Sequence, residues 1–475
     1  MALLKKLHAL AFTFILIFIS QPALAQNGEL AINGAQLSIW WIIPFVGLLL
    51  SIAIMPLVAE EFWDNHFGKI TAFWGLTLVI PLYFYAGFET TLFEVLEVYI
   101  SDYFPFIVLL LALFTISGGV RVTGYLKGTP ASNTVLLLIA TALSSWMGTT
   151  GAAMLMIRPM LRANAWRKKK IHMVIFFIFL VCNVGGSLTP IGDPPLFLGF
   201  LHGVNFFWTT TNLFWEMLFV VVILLVLYYA LDTYLFNQEE WKADDEEEKE
   251  PIGVEGKFNL ILLAGVVGFV IFSGVANLGF TEIYTIPIPI AGLVRDGSLL
   301  ILSWVSWHFT SKESRAANGF TWFPIKEVGY LFAGIFITIV TPIAMLEAAQ
   351  DGAGALQFIH AGLFNAAGEP IDEMFFWITG VLSSFLDNAP TYLIFFNAAS
   401  GNAQELMTTF ADTLMAISSG AVFFGAVTYI GNAPNFMVKS IAEESGVDMP
   451  SFGGYMLWSI GILIPIYLLV TWLFL

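Results

Sequence analysis

Apolar residues in this chain run on without interruption for lengths that only a membrane-crossing helix uses. Tyr455–Leu475 contains no charged residue at all, and about 20 apolar residues span the hydrocarbon core of a bilayer. Backbone inside lipid must satisfy its own hydrogen bonds, which leaves helices or a closed barrel. The runs are continuous, not alternating, so helices are expected. Charge supports this: only 11% of the residues are charged and 58% are apolar, against about 25% charged in a water-soluble domain. Too few polar groups exist to coat a soluble surface, and the expected fold is an all-α polytopic membrane protein.

The net charge of −16 comes partly from one run, Asp244-Asp245-Glu246-Glu247-Glu248. An acidic chain is a poor ligand for phosphate backbones, so nucleic acid is excluded as a partner. The single cysteine, Cys182, lies in an apolar run and reads as an inert buried thiol. Lys5 and Lys6 precede an apolar stretch from Leu7 to Ser20, followed by Ala23-Leu24-Ala25. This is the pattern of a signal peptide covering residues 1–25. It places the mature N-terminus on the periplasmic side of a bacterial inner membrane.

Ten spans are expected, near Trp40–Val58, Ile70–Gly87, Phe104–Val120, Ile171–Gly186 and Leu213–Phe236, then near Phe258–Leu278, Val294–Thr310, Val328–Leu346, Phe410–Val427 and Tyr455–Leu475. Two further tracts, about 132–162 and 373–400, are apolar at their ends and small or polar in the middle, as in a re-entrant hairpin. Two spans are interrupted by Gly and Pro, giving broken helices over about 171–202 and 409–442. With the hairpins turning back, 16 of the 17 Lys and Arg residues beyond the leader fall on one side, and only Arg295 falls on the other. The positive-inside rule requires such asymmetry. The resulting architecture is two inverted repeats, 26–236 and 258–475, each of five transmembrane helices plus one hairpin. An acidic cytoplasmic linker, 237–257, joins them, and both termini are periplasmic.

The halves match in sequence as well as in layout. Thr189-Pro190-Ile191-Gly192-Asp193-Pro194-Pro195 aligns with Thr428-Tyr429-Ile430-Gly431-Asn432-Ala433-Pro434, 239 residues later, and Ser144-Ser145 aligns with Ser383-Ser384 at the same offset. Gly and Pro free backbone groups at these interruptions, and the ends of half-helices attract ions. Gly148-Thr149-Thr150-Gly151 and Asp387-Asn388-Ala389-Pro390 therefore read as hairpin tips facing the two breaks.

These tracts, with Gly185-Gly186-Ser187-Leu188 ahead of the first and Phe385-Leu386 ahead of the second tip, resemble the ion transporter superfamily. Within it the chain is similar to the NhaD-type sodium/proton antiporters and their citrate-transporter-like relatives. The resemblance implies a scaffold domain, a transport domain holding the hairpins, and a homodimer. Carboxylate symporters of the superfamily carry Ser-Asn-Thr at both tips. Here the tips read Gly-Thr-Thr and Asp-Asn-Ala, and Ser132-Asn133-Thr134 lies at the start of the first hairpin.

Asp387 is the leading expected ion site, since a carboxylate at mid-membrane is costly unless it is neutral or paired. Asp193 reads either as a cation ligand or as the N-cap of the half-helix that follows it. Asn388, Asn432, Thr149, Thr150, Thr189, Thr428 and Asn183 are neutral oxygen donors that either join the site or satisfy local backbone. Sodium candidates are Asp387, Asp193, Asn388 and Asn432. Glu347 is a second titrating carboxylate or an interfacial residue. Glu216, Asp232, Glu327 and Asp412 are expected at membrane interfaces, Arg295-Asp296 at a periplasmic helix start with an intramembrane pair as the alternative, and Thr90–Tyr99 as an amphipathic segment on the outer surface.

Three functions are weighed. Sodium/proton antiport uses buried carboxylates that bind a cation or a proton in turn. Sodium- or proton-coupled citrate or dicarboxylate uptake would set the anion against Asp387 with no Lys or Arg in either motif. An intramembrane enzyme lacks a Ser/His pairing or a metal-ligand His cluster in the sequence. The expected partners are small inorganic cations, with citrate or a dicarboxylate as the alternative, and the lipid bilayer; no cofactor beyond the transported ions is expected.

Overall fold

The computed structural model describes residues 31–124, 127–239 and 251–475. The expected signal peptide and most of the acidic linker lie outside the described residues. Helices dominate. The first half begins with α1 (Ile43–Val58), α2 (Glu60–Glu97) and α3 (Phe104–Ser117), with the wide turn Val98–Tyr103 between the last two. Gly87 breaks α2 with φ 85° and ψ 174°. The apolar face of the segment beyond it, expected as an amphipathic stretch on the outer surface, is covered. Leu96 packs with Ile286 and Ile288 of a small β-hairpin, and Leu92, Phe93 and Ile100 close around them.

Two helix pairs follow the expected hairpins closely. In the first half, α4 (Pro130–Met147) and α5 (Thr149–Ala163) meet at the single residue Gly148 and fold back on each other. Thr129 starts the pair by accepting the Ser132 amide (3.3 Å), with Pro130 in the first turn, where its missing N–H costs nothing. Then come α6 (Ile171–Leu180), an irregular stretch, α7 (Pro194–Leu201) and the long α8 (Trp208–Phe236).

The second half runs α9 (Lys257–Val275), α10 (Ile290–Phe309), α11 (Phe323–Thr338) and α12 (Val340–Gln350). Its helix pair is α13 (Asp372–Leu386) and α14 (Asn388–Ala399), joined at Asp387. A second interrupted helix, α15 (Ala411–Phe424) and α16 (Ala433–Glu444), precedes α17 (Phe452–Phe474). Among the described residues, five helical segments are long and apolar enough to cross a membrane; α11 and α12 make a sixth across a 40° bend. Their outer faces carry large apolar side chains such as Val226, Leu457 and Trp472, 62%, 78% and 79% exposed, as lipid contact requires.

Loops sort to two ends. At one, β1 (Arg121–Thr123) pairs antiparallel with β2 (Gly253–Glu255), Arg162 Nη2 donates to Val122 O (2.7 Å), and Arg315 Nη1 donates to Thr115 O (2.7 Å). Lys169 N donates to Glu239 Oε1 (2.8 Å) there as well. The open end of the first helix pair lies with these basic loops. The open end of the second pair lies elsewhere: the Asn397 carbonyl accepts from Gln350 Nε2, beyond α12. β3 (Phe280–Ile283) and β4 (Ile286–Pro289) form the hairpin that covers Leu96.

Glu216 and Asp232, expected near helix ends, are fully buried within the protein. Because α8 runs Trp208–Phe236, Glu216 lies in its third turn and Asp232 close to its end. Asp232 meets Arg167 Nη2 at 2.5 Å and His172 Nε2 at 2.9 Å, and accepts from Tyr228 Oη and Asn133 Nδ2. Arg295 and Asp296 are likewise buried. They form a two-point pair (2.7 and 3.1 Å), with the guanidinium 5.5 Å from the Phe197 ring.

Candidate functional site

Both interruptions are built by glycines that allow backbone to touch backbone. A Cβ on Gly192 would stand 2.1 Å from the Gly186 carbonyl oxygen, and one on Gly431 would stand 2.6 Å from that of Gly425. Only glycine permits such approach. Each break is then latched to the neighbouring helix pair. Ser145 Oγ donates to Gly185 O (2.5 Å) and Ser384 Oγ to Phe424 O (3.1 Å). Thr189 Oγ1 donates to Ser145 O and Thr428 Oγ1 to Ser384 O. Each of these contacts in the first half has its counterpart 239 residues on. The two threonine hydroxyls are therefore spent on positioning the breaks.

The tips repeat the same geometry. Gly148 has φ 79° and ψ 147°; Asp387 has φ 76° and ψ 141°. This region is natural for glycine and strained for any residue with a side chain, at a cost of about 1–3 kcal/mol. Asp387 offsets part of it by capping its own helix, accepting the Ala389 amide at 3.0 Å. Its side chain is half-buried, and the cap turns it toward its own backbone.

Asp193 sits where the four segments meet. It is 2% exposed and opens α7, yet its side chain makes no cap. Three side chains donate to it instead: Thr149 Oγ1 (3.0 Å) from the first tip, Asn388 Nδ2 (2.5 Å) from the second tip, and Asn432 Nδ2 (2.9 Å) from the second break. Asn432 also donates to Cys182 O (2.9 Å) and reaches Asn183 Oδ1 (3.4 Å). Asn183 in turn donates to Asn435 Oδ1 (2.9 Å) and to Ile178 O. The Cys182 thiol is buried and faces the Pro434 carbonyl.

The residues singled out from sequence thus divide. Asp193, Thr149, Asn388 and Asn432 converge, Asn183 supports Asn432, Thr189 and Thr428 latch the breaks, and Asp387 caps. Thr150 lines a cavity of about 80 Å³ between the first tip, the first break and helices α3, α11 and α16. Asp193 and Thr149 form its polar wall; Leu113, Ile325 and Met437 are part of the apolar one. One water needs about 10–15 Å³ in this measure, so several fit beside Asp193. Asn435, which donates to Gly425 O (2.7 Å) and Thr428 O (2.9 Å), was not singled out, although its place in the repeated tract signalled it.

One buried polar atom in the cluster is unsatisfied. Asn388 Oδ1 has no hydrogen-bond partner, although the residue is fully buried. Such an orphan is uncommon and costs about 1–3 kcal/mol. With one carboxylate, one hydroxyl and a spare amide oxygen, the donor set is that of a hard monovalent or divalent cation. Among the described residues, no Lys or Arg bonds to any member of the cluster.

An apolar helical exterior around a buried, water-accessible polar centre at broken helices defines a multi-pass membrane transporter. The chain belongs to the family described as "Putative citrate transport", which matches residues 34–475. It is 24% identical over 370 residues to the "46 kDa membrane protein" of Mycobacterium leprae, covering 72% of this chain and 79% of that one. It is 25% identical over 371 residues to an "Uncharacterized transporter" of Mycobacterium bovis and to one of Mycobacterium tuberculosis, with the same coverage.

Proposed function

We propose that this transporter is a cation/proton antiporter of the inner membrane, sodium being the expected cation, and that Asp193 is its exchange site. The observation that carries the reading is the convergence of both tips and both breaks on one buried carboxylate that, among the described residues, bonds to no cationic side chain. A bare carboxylate so placed is costly, and a proton or a cation relieves the cost equally well. Because one carboxylate holds one or the other, binding is competitive, and competition across alternating access gives exchange.

The neighbours suit this role. Asn388 Nδ2 serves the charged carboxylate, while its unpartnered Oδ1 offers a second oxygen to a cation. A half-rotation of that amide exchanges donor for acceptor. Asp387 lies next to Asn388, whose amide bonds Asp193, at the same tip. Asp387 is accordingly a second, subordinate ion site.

We infer further that the halves are inverted repeats. Support comes from the latches recurring 239 residues apart, and from helix pairs whose open ends lie in different regions while their tips reach Asp193. On this reading the basic loops at Arg121, Arg162 and Lys169 face the cytoplasm and both termini face the periplasm. Ile325 and Met437, next to and near the basic Lys326 and Lys439, line the cavity, and on this reading that side would admit cytoplasmic ions.

Coupled citrate uptake is the second reading, favoured by the family description. Against it stands a site whose charged member is negative. The deciding experiment is dye-reported proton flux in everted vesicles on addition of sodium, lithium or citrate. Antiport predicts a response to sodium or lithium and none to citrate; a response to citrate alone replaces it with the symporter.

A further inference from the structure

Each buried acidic group outside the Asp193 cluster can be asked what neutralises it. Asp232 is answered by Arg167, His172, Tyr228 and Asn133, and Asp296 by Arg295. Glu216 has no answer. It is fully buried in the third turn of α8, and both carboxyl oxygens lack a hydrogen-bond partner, which is true of no other buried carboxylate among the described residues. The Ser419 hydroxyl of α15 neighbours it, but that hydroxyl's own proton goes to Met415 O (2.9 Å). Next along α15, Ser418 Oγ is also buried, with the Tyr392 hydroxyl of α14 beside it.

We propose that Glu216 is a second proton-binding site of this transporter, taking up and releasing its proton by way of the Ser418 and Ser419 hydroxyls. An unpaired carboxylate in an apolar interior costs several kcal/mol, whereas the neutral acid fits there at small cost. No other titratable group takes this role. On the elements packed against α8, His172 is held by Asp232, and Tyr455 and Tyr467 donate to Ala426 O and Phe423 O. Cys182 faces Pro434 O, and Asp412 is exposed at the start of α15.

The position ties the proton to the moving parts. Two turns before Glu216, Thr209 and Thr210 donate to Leu188 O (3.0 and 2.5 Å), immediately ahead of the first break. The neighbouring serines lie on α15, which runs into the second break at Thr428. Tyr392 stands one turn from Asn388 on α14. A charge appearing on Glu216 therefore acts on helices leading to both breaks, one of which carries the Ser419 hydroxyl beside it.

This rests on the reading of the protein as proton-coupled, and the test separates the two. Infrared difference spectra between alkaline and acidic pH are recorded on the lipid-reconstituted full chain, for wild type, Glu216→Gln and Glu216→Asp. The pH profile of sodium-driven proton flux is measured on the same preparations. Expected are a protonated-carboxyl band lost in Glu216→Gln and kept in Glu216→Asp, and a pH profile that flattens in the first and recovers in the second. An unchanged band in Glu216→Gln overturns the proposal. So does loss of the band with a wild-type pH profile, because the proton would then be structural. If wild type shows the band but no sodium-driven flux, antiport alone fails, and the profile is read on citrate uptake. Should Glu216→Gln not fold, Ser419→Ala must shift the band; no shift overturns the proposal.

Discussion

Asn432 donates a 2.9 Å hydrogen bond to Asp193, the residue that matches it 239 positions earlier. On the proposed inverted repeat, matching positions that touch would lie at the axis relating the halves. The two members differ, so the charge of the breaks is confined to Asp193. Asn432→Leu removes donors from Asp193 and from the Cys182 carbonyl. Each loss of a buried partner costs about 1–3 kcal/mol. The expected result is a lower melting temperature in detergent together with weaker sodium dependence of flux.

The shared backbone of Gly148 and Asp387 gives a stability prediction. Asp387→Gly removes the strain of a side chain at φ 76° and loses only the cap to Ala389. Asp387→Ala keeps the strain and loses the cap. Thermal denaturation in detergent should rank Asp387→Gly above Asp387→Ala, by about 1–3 kcal/mol. The reverse order would mean that the tip conformation is unstrained.

Close approach at the breaks predicts an ordering too. Gly192→Ala puts a methyl 2.1 Å from the Gly186 carbonyl oxygen, and Gly431→Ala puts one 2.6 Å from that of Gly425. Both are backbone contacts that cannot swing away. Each substitution should destabilise by about 1–3 kcal/mol or more, Gly192→Ala the more severely, measured as melting temperature and folded yield.

How far the sequence leads is clear from particular residues. The tips and breaks were legible because glycine and proline interrupt apolar runs, and because the tracts repeat. Helix ends were read from apolar character alone, which started α8 at Leu213 instead of Trp208. That offset placed Glu216 in the first turn of the span and hid its burial. Asp387 stood ahead of Asp193 because it lies at a tip; the cap to Ala389 that occupies it is a local backbone detail. The contact of Asn388 with Asp193 joins residues 195 apart, and no local pattern announces such packing.

Arg167 and Asp232 are 0% exposed and 2.5 Å apart. Breaking such a pair by one substitution costs about 3–5 kcal/mol, because the remaining charge is buried alone. Arg167→Met and Asp232→Leu should each lower folded yield sharply, while the double variant recovers part of the loss. A double variant no better than either single one would show that His172 and Asn133, not the ion pair, carry the energy.

The central claim is that Asp193 exchanges a cation for a proton. Its most direct test is sodium-induced proton flux in everted vesicles containing wild type or Asp193→Asn, matched for folded protein. Asparagine keeps the shape and the contacts to Thr149 but removes both the charge and the titration. Wild type should respond to sodium, and Asp193→Asn should give no flux above protein-free vesicles. Flux from Asp193→Asn at the wild-type rate and with the wild-type sodium dependence would contradict the account.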